Sequence, residues 1–185
     1  MKTILLAAAA ILLGTLSAGA AEAPTMPTAP VPSPLPGSEP LWSGPYGGMV
    51  AGLWFPFDGV EFEGDPAETT GRLNAVVGTN IPVGERGVLG IEAQFGIYDF
   101  EEVAFEAFAI GHAGMRFGER ALAFASIGLA YDSAADDAGF VLGGGVEVAM
   151  NDSVSLRGET LVYRYLGSPF EYVTLSGGVI FHVGN

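Results

Sequence analysis

The sequence predicts an all-β chain whose main body is an eight-stranded antiparallel up-and-down transmembrane β-barrel, preceded by a cleaved signal peptide and a Pro-rich leader. Three observations predict it. First, residues 139–167 read as two alternating strands joined by a tight polar turn at Asn151-Asp152. One face carries Leu142, Val146, Val148 and Met150, then Val154, Leu156 and Val162; the other carries Glu147, then Arg157 and Glu159. Second, the charged face is thin and diluted by glycine, of which the chain has 28, so it makes a poor water-facing surface. Third, the chain begins with an export signal. Together these predict a barrel with its apolar side to lipid and its charges in the lumen.

Residues 1–20 form the export segment. Lys2 precedes an apolar run from Ile4 to Leu13, and Ala18-Gly19-Ala20 offers small residues for cleavage. The core is short and has no cationic stop-transfer flank, which argues for cleavage rather than anchoring. Residues 21–41 hold seven prolines, so this stretch lacks backbone donors and reads as an extended leader. Residues 42–185 are then left for the barrel. They contain no apolar stretch long enough for a spanning helix, and a chain that enters lipid by strands must close into a barrel, because hydrocarbon offers an open edge no partners.

The first strand runs from about Tyr46 to Phe55, with Met49, Ala51, Leu53 and Phe55 outward and Gly48, Val50 and Gly52 opposite. An acidic loop follows. The second, Thr70 to Ile81, sets Leu73, Ala75, Val77 and Ile81 against Arg72, Asn74, Gly78 and Asn80, and Val83-Gly84-Glu85-Arg86-Gly87 turns the chain. The third has the sharpest alternation, Leu89, Ile91, Ala93, Phe95 and Ile97 against Gly90, Glu92, Gln94 and Gly96. The fourth sends Phe105, Ala107, Ala109, Ala113, Met115 and Phe117 outward and Glu106, His112 and Arg116 inward, before a tight turn at Gly118-Glu119-Arg120. The fifth is weaker, with Ile127, Leu129 and Tyr131 opposite Ser126, Gly128 and Ala130. The sixth and seventh are the pair described above. The last begins near Tyr172 and sets Val173, Leu175, Val179, Phe181 and Val183 against Thr174, Ser176 and His182. Short turns alternate with acidic loops, which places the turns on the periplasmic side with the leader. Tyr46, Trp54, Phe55, Phe95, Phe105, Phe117, Tyr131, Phe140 and Phe181 are the candidates for interfacial belts.

Composition narrows the function. Hydrophobic residues make up 49% and charged residues 15%, which is apolar for a secreted domain. The net charge is −14, Lys2 is the only lysine, and phosphates would be repelled, so nucleic acid is not an expected partner. The absence of cysteine excludes a disulfide scaffold, thiolate metal sites and thiol nucleophiles.

The Gly139-Phe140, Gly143, Gly145, Glu147 pattern resembles the porin-like outer-membrane β-barrel family that includes opacity-type and small OmpA-like proteins. So do Ser155-Leu156-Arg157 with Glu159, Tyr163 and Tyr165, and the opening Trp42-Ser43-Gly44-Pro45-Tyr46-Gly47-Gly48. The resemblance covers residues 42–185. It implies a small barrel in the cell outer membrane, usually without a known reaction, in contact with outer-membrane lipid and lipopolysaccharide and inserted by the barrel-assembly machinery. Such barrels end in an aromatic residue; here Val183 takes that position and Gly184-Asn185 follow.

The expected lumen charges are Arg72, Glu92, Glu106, His112, Arg116, Glu147, Arg157 and Glu159, with His182 beside them. Charges in a narrow barrel are costly unless paired, so a Glu/Arg network that plugs the lumen is the expectation, ahead of a small porin-like channel. A lipid A hydrolase would need a nucleophile beside a base. Neither His112 nor His182 stands in an H-x-S arrangement; Ser126 or Ser176 could approach a histidine across strands, but nothing requires it. No catalytic, cofactor or metal site is expected. A third class is recognition by the acidic surface loops, which carry Asp58, Glu61, Glu63, Asp65 and Glu68, then Asp132, Asp136 and Asp137. These could share divalent cations with lipopolysaccharide phosphates, although the first loop lacks calcium-loop spacing. The soluble alternative is a secreted calycin-like ligand-binding barrel, which would reverse the two faces.

Overall fold

A computed structural model of the chain describes residues 42–56, 69–98, 100, 103–134, 136–166 and 171–183. The export segment and leader, residues 1–41, and the acidic positions Asp58, Glu61, Glu63, Asp65 and Glu68 lie outside the described residues. Eight strands follow one another: β1 Gly44–Pro56, β2 Thr70–Val83, β3 Gly87–Tyr98, β4 Ala104–Phe117, β5 Ala121–Asp132, β6 Asp137–Ala149, β7 Val154–Tyr165 and β8 Glu171–His182. Each pairs antiparallel with the next, and β1 pairs with β8 through partners such as Gly47 with Phe181, which closes the barrel. The fifth strand, weak in the sequence, is a full member: its Ala121-Leu122-Ala123-Phe124-Ala125 start pairs with both β4 and β6.

The alternation sorts the two faces. Met49, Val77, Ile91, Phe95, Ile127, Leu142 and Leu175 stand exposed outside, while Arg72, Asn74, Glu92, Gln94, Glu147 and Arg157 are buried inside. Water would stabilise the reverse arrangement, and hydrocarbon stabilises this one. Phe95, Phe105, Phe117, Tyr131, Phe140 and Phe181 are all exposed on the outer face. Tyr46 and Trp54 are not part of that belt. They share the parity of Gly48, Val50 and Gly52, and both point inward; Tyr46 is buried and Trp54 half-buried.

Several glycines of the inner face make room for neighbouring side chains. A Cβ at Gly78 would collide with the Tyr46 hydroxyl, at Gly90 with the His112 ring, and at Gly96 with the Asn74 amide. At Gly145 it would meet the Phe124 ring 2.8 Å away. Large polar and aromatic groups thus lie flat across the next strand, which is how a barrel this narrow holds them.

The short turns are built locally. Gly84 and Gly118 adopt φ of 61° and 65°, and each opens a Gly-Glu-Arg turn. In the third, Asn151 Oδ1 accepts from the backbone N–H groups of Ser153 and Val154, both at 2.9 Å.

Candidate functional site in the barrel lumen

The inward side chains fall into two groups at different heights. Toward the short turns, Arg157 is the centre. Glu147 sits directly opposite it in the β6–β7 register. Arg157 Nη2 and Nε reach Glu147 Oε2 at 2.9 and 3.0 Å, and Nη1 reaches Glu92 Oε2 at 2.5 Å and Glu159 Oε2 at 3.8 Å. The guanidinium also lies 5.4 Å from the Tyr46 ring centroid and 5.3 Å from that of Phe124, so two π-faces flank it.

The carboxylates have further donors. The Gln94 amide donates at 2.9 Å to Glu92 Oε1 and at 2.9 Å to Glu159 Oε1. The Tyr46 hydroxyl donates to Glu92 at 2.7 Å. The Ser155 hydroxyl donates to Glu147, and His182 Nε2 lies 3.0 Å from both groups. A buried ion pair is tolerable only when the remaining lone pairs are satisfied in this way.

Toward the loops the chemistry changes. Arg72 Nε donates to Glu106 Oε1 at 2.8 Å, with the guanidinium 5.4 Å from the Phe108 ring centroid. The rest is aromatic. Tyr98 stacks on Trp54 at 5.9 Å, Trp54 meets Tyr172 at 4.3 Å, Tyr172 stacks on Tyr163 at 4.1 Å, and Tyr163 meets Phe108 edge-on at 5.2 Å. Rings from β1, β3, β4, β7 and β8 therefore run as one chain across the lumen. Asn74, bonded to Gln94 at 3.5 Å, bridges the two groups.

The structure brings Arg72, Glu92, Glu106, Glu147, Arg157 and Glu159 into this network. His112 is buried but bonds Asn80 Oδ1 at 2.9 Å rather than a carboxylate. Arg116 is a correction. It has the inward parity but stands in the last turn-side residues of β4, where its guanidinium turns out to the Glu85 carbonyl in the β2–β3 turn. Asp132 is a second correction: it is not a surface-loop acid. It ends β5 on the inner face, buried, and accepts the Tyr98 hydroxyl at 2.6 Å. Asp136 is exposed with φ of 46° and accepts the Tyr131 hydroxyl at 3.0 Å, and the half-buried Asp137 caps the Ala138 N–H at 2.7 Å. Tyr46, Gln94 and Ser155 are network members that the sequence did not single out.

Ser155, His182 and Glu147 hold the residue types of a hydrolytic triad without its geometry. Serine and carboxylate both meet the same imidazole nitrogen, Nε2, whereas an orienting acid would bond Nδ1. All are buried, so the serine presents no face to a substrate. Ser126 stands opposite His112 in the β4–β5 register, but the imidazole nitrogen turns to Asn80. Among the described residues no cluster of three or more His, Cys, Asp or Glu side chains could hold a metal ion.

No protein-family model matches the sequence, and no curated protein matches it. Solved structures do match the fold. The barrel is similar to Ail, the attachment invasion locus protein of Yersinia pestis, at 10% identity and a TM-score of 0.53, covering 75% of this chain and 98% of that one. It is similar to Neisserial surface protein A at 11% and 0.53, covering 75% and 97%. The N-terminal β-barrel domain of Pseudomonas aeruginosa OprF matches at 13% and 0.52, again covering 75% and 97%. At such identities the likeness is one of architecture: this chain has the fold of the small eight-stranded outer-membrane β-barrels.

Proposed function

We propose that the protein is an integral outer-membrane barrel with a structural or surface-interaction role, its lumen plugged by the Glu/Arg network instead of serving as a pore or an active site. The observation that carries this reading is the inversion of faces. Exposed Met, Leu, Ile, Val and Phe cover the outside, and the buried charges are paired inside. Outer-membrane lipid and lipopolysaccharide are the partners of the outer face, and the barrel-assembly machinery is the partner during insertion. The surface-interaction part of the reading rests on the acidic loop sequences around Asp58 to Glu68 and at Asp136 and Asp137.

Membrane fractionation of cells making the native precursor tests the reading, followed by gels of heated and unheated samples in dodecyl sulfate. Recovery in the outer membrane with a heat-dependent mobility shift is expected. Recovery in the soluble periplasm without a shift would overturn it and leave the calycin-like alternative. Millimolar calcium should alter protease cleavage in the loops if they share cations with lipopolysaccharide phosphates, and unchanged cleavage removes that part.

A further inference from the structure

Beyond the lumen, the arginines are unevenly placed. Arg72 and Arg157 are inside, and Arg164 lies on the outer face near the loop end of β7. The remaining three, Arg86, Arg116 and Arg120, gather at the short-turn end, on or beside two turns joined through the β3–β4 pair. The third short turn, Asn151-Asp152-Ser153, carries no cation.

The two turns repeat one design. Each is Gly-Glu-Arg, residues 84–86 and 118–120, and each opens on a glycine of nearly equal positive φ, 61° and 65°. They therefore present their arginines alike. Arg116 ties the first turn down: its N–H donates to the Arg86 carbonyl at 2.8 Å, and its guanidinium to the Glu85 carbonyl. A carbonyl does not neutralise it; the three guanidiniums are matched in number by Glu85, Glu119 and Asp152, but Asp152 stands on the third turn and only Glu85 and Glu119 share the two Gly-Glu-Arg turns with them. Arg86 and Arg120 are exposed, and among the described residues neither side chain forms an ion pair or hydrogen bond. Val83, Met115 and Phe117, the outward residues next to these turns, are 49%, 55% and 60% exposed. If that apolar edge lies in hydrocarbon, the two free guanidiniums sit at the level of the headgroups of the same leaflet, where their fork geometry suits phosphate oxygens.

We propose that the paired Gly-Glu-Arg turns are a headgroup anchor, with Arg86 and Arg120 binding the phosphates of anionic phospholipid in the leaflet at the turn end. The inference rests on the membrane reading above and adds which lipid that leaflet supplies and which residues take it.

The test refolds the full chain into vesicles of phosphatidylcholine alone or with a minor share of phosphatidylglycerol. Urea unfolding is then compared for the wild type and the double variant R86Q/R120Q at low salt. An arginine near an anionic surface is worth about fivefold in the folding constant. The double variant should therefore fall about 25-fold behind the wild type with phosphatidylglycerol and stay level with it without. The gap should close in high salt, as screening requires. E85Q/E119Q should respond to phosphatidylglycerol more strongly than the wild type. An equal response of wild type and R86Q/R120Q overturns the anchor and leaves the membrane reading intact. Stabilisation of the wild type in pure phosphatidylcholine by soluble pyrophosphate, matching that from phosphatidylglycerol, would overturn the lipid as the source of the phosphate. Failure of the chain to float with either vesicle overturns the membrane reading itself.

Discussion

The two halves of the lumen close the same barrel by different chemistry. On the turn side, Arg157 is shared by Glu92, Glu147 and Glu159, and Tyr46, Gln94, Ser155 and His182 supply further contacts. On the loop side, among the described residues, Arg72 makes one ion pair through Nε, and its Nη1 and Nη2, and Glu106 Oε2, form no hydrogen bond. Closure there rests on the chain of rings from Tyr98 to Phe108. An ion-pair cluster is directional and fails when its centre is removed. A stack of rings is non-directional and loses area in proportion to what is cut away.

That contrast can be broken at its strongest point first. Arg157→Ala leaves three buried carboxylates around an empty centre, and should cost about 4 kcal/mol in the urea midpoint of the refolded barrel. Tyr172→Ala cuts the loop-side chain of rings in the middle and should cost about 3 kcal/mol by the same measurement. If Arg157→Ala proves no worse than Tyr172→Ala, the two halves do not differ in the way described. Tyr46→Phe keeps the ring against Arg157 and deletes one hydrogen bond to a charged oxygen, and should cost about 2 kcal/mol. Asn151→Ala, far from both halves, removes a turn acceptor and should cost about 1 kcal/mol. Planar-bilayer recordings sharpen the comparison in another way, because the two closures lie in series. Wild type, Arg157→Ala and Tyr172→Ala should each stay silent, and only the combined variant should leak. Large regular steps from the wild type would remove the plug altogether.

Period-two alternation made the strands and their faces legible, because parity depends only on the local chain. That parity puts Glu92, Glu106, Glu147, Arg157 and Glu159 on the inner face, where all five are buried. Parity does not give height. Glu92 meets Arg157, and Gln94 meets Glu159, across 65 residues, through a stagger set by the closure of the whole barrel. Hence Gln94 and Ser155 could be placed on the right face without being seen as partners. For Tyr46 and Trp54, residue type and parity point opposite ways. Their residue type suggests an interfacial belt, but their parity with Val50 already pointed inward. Arg116 shows the opposite limit: its parity is inward, but at a strand end the nearest acceptor is a turn carbonyl. Asp132 looked like loop sequence and became the last buried residue of β5 because the Tyr98 hydroxyl takes it up.

The inner-face glycines have a consequence for how this sequence can drift. Three of them are imprints of a side chain on the neighbouring strand: Gly78 of Tyr46, Gly90 of His112, Gly96 of Asn74. An alanine at position 90 needs a smaller residue at 112 and a shift of the Asn80 amide as well, and a smaller residue at 112 leaves a hollow until position 90 fills it. Such pairs should therefore change together among descendants of this chain, and the lumen should be inherited as interlocked couples and not as single positions.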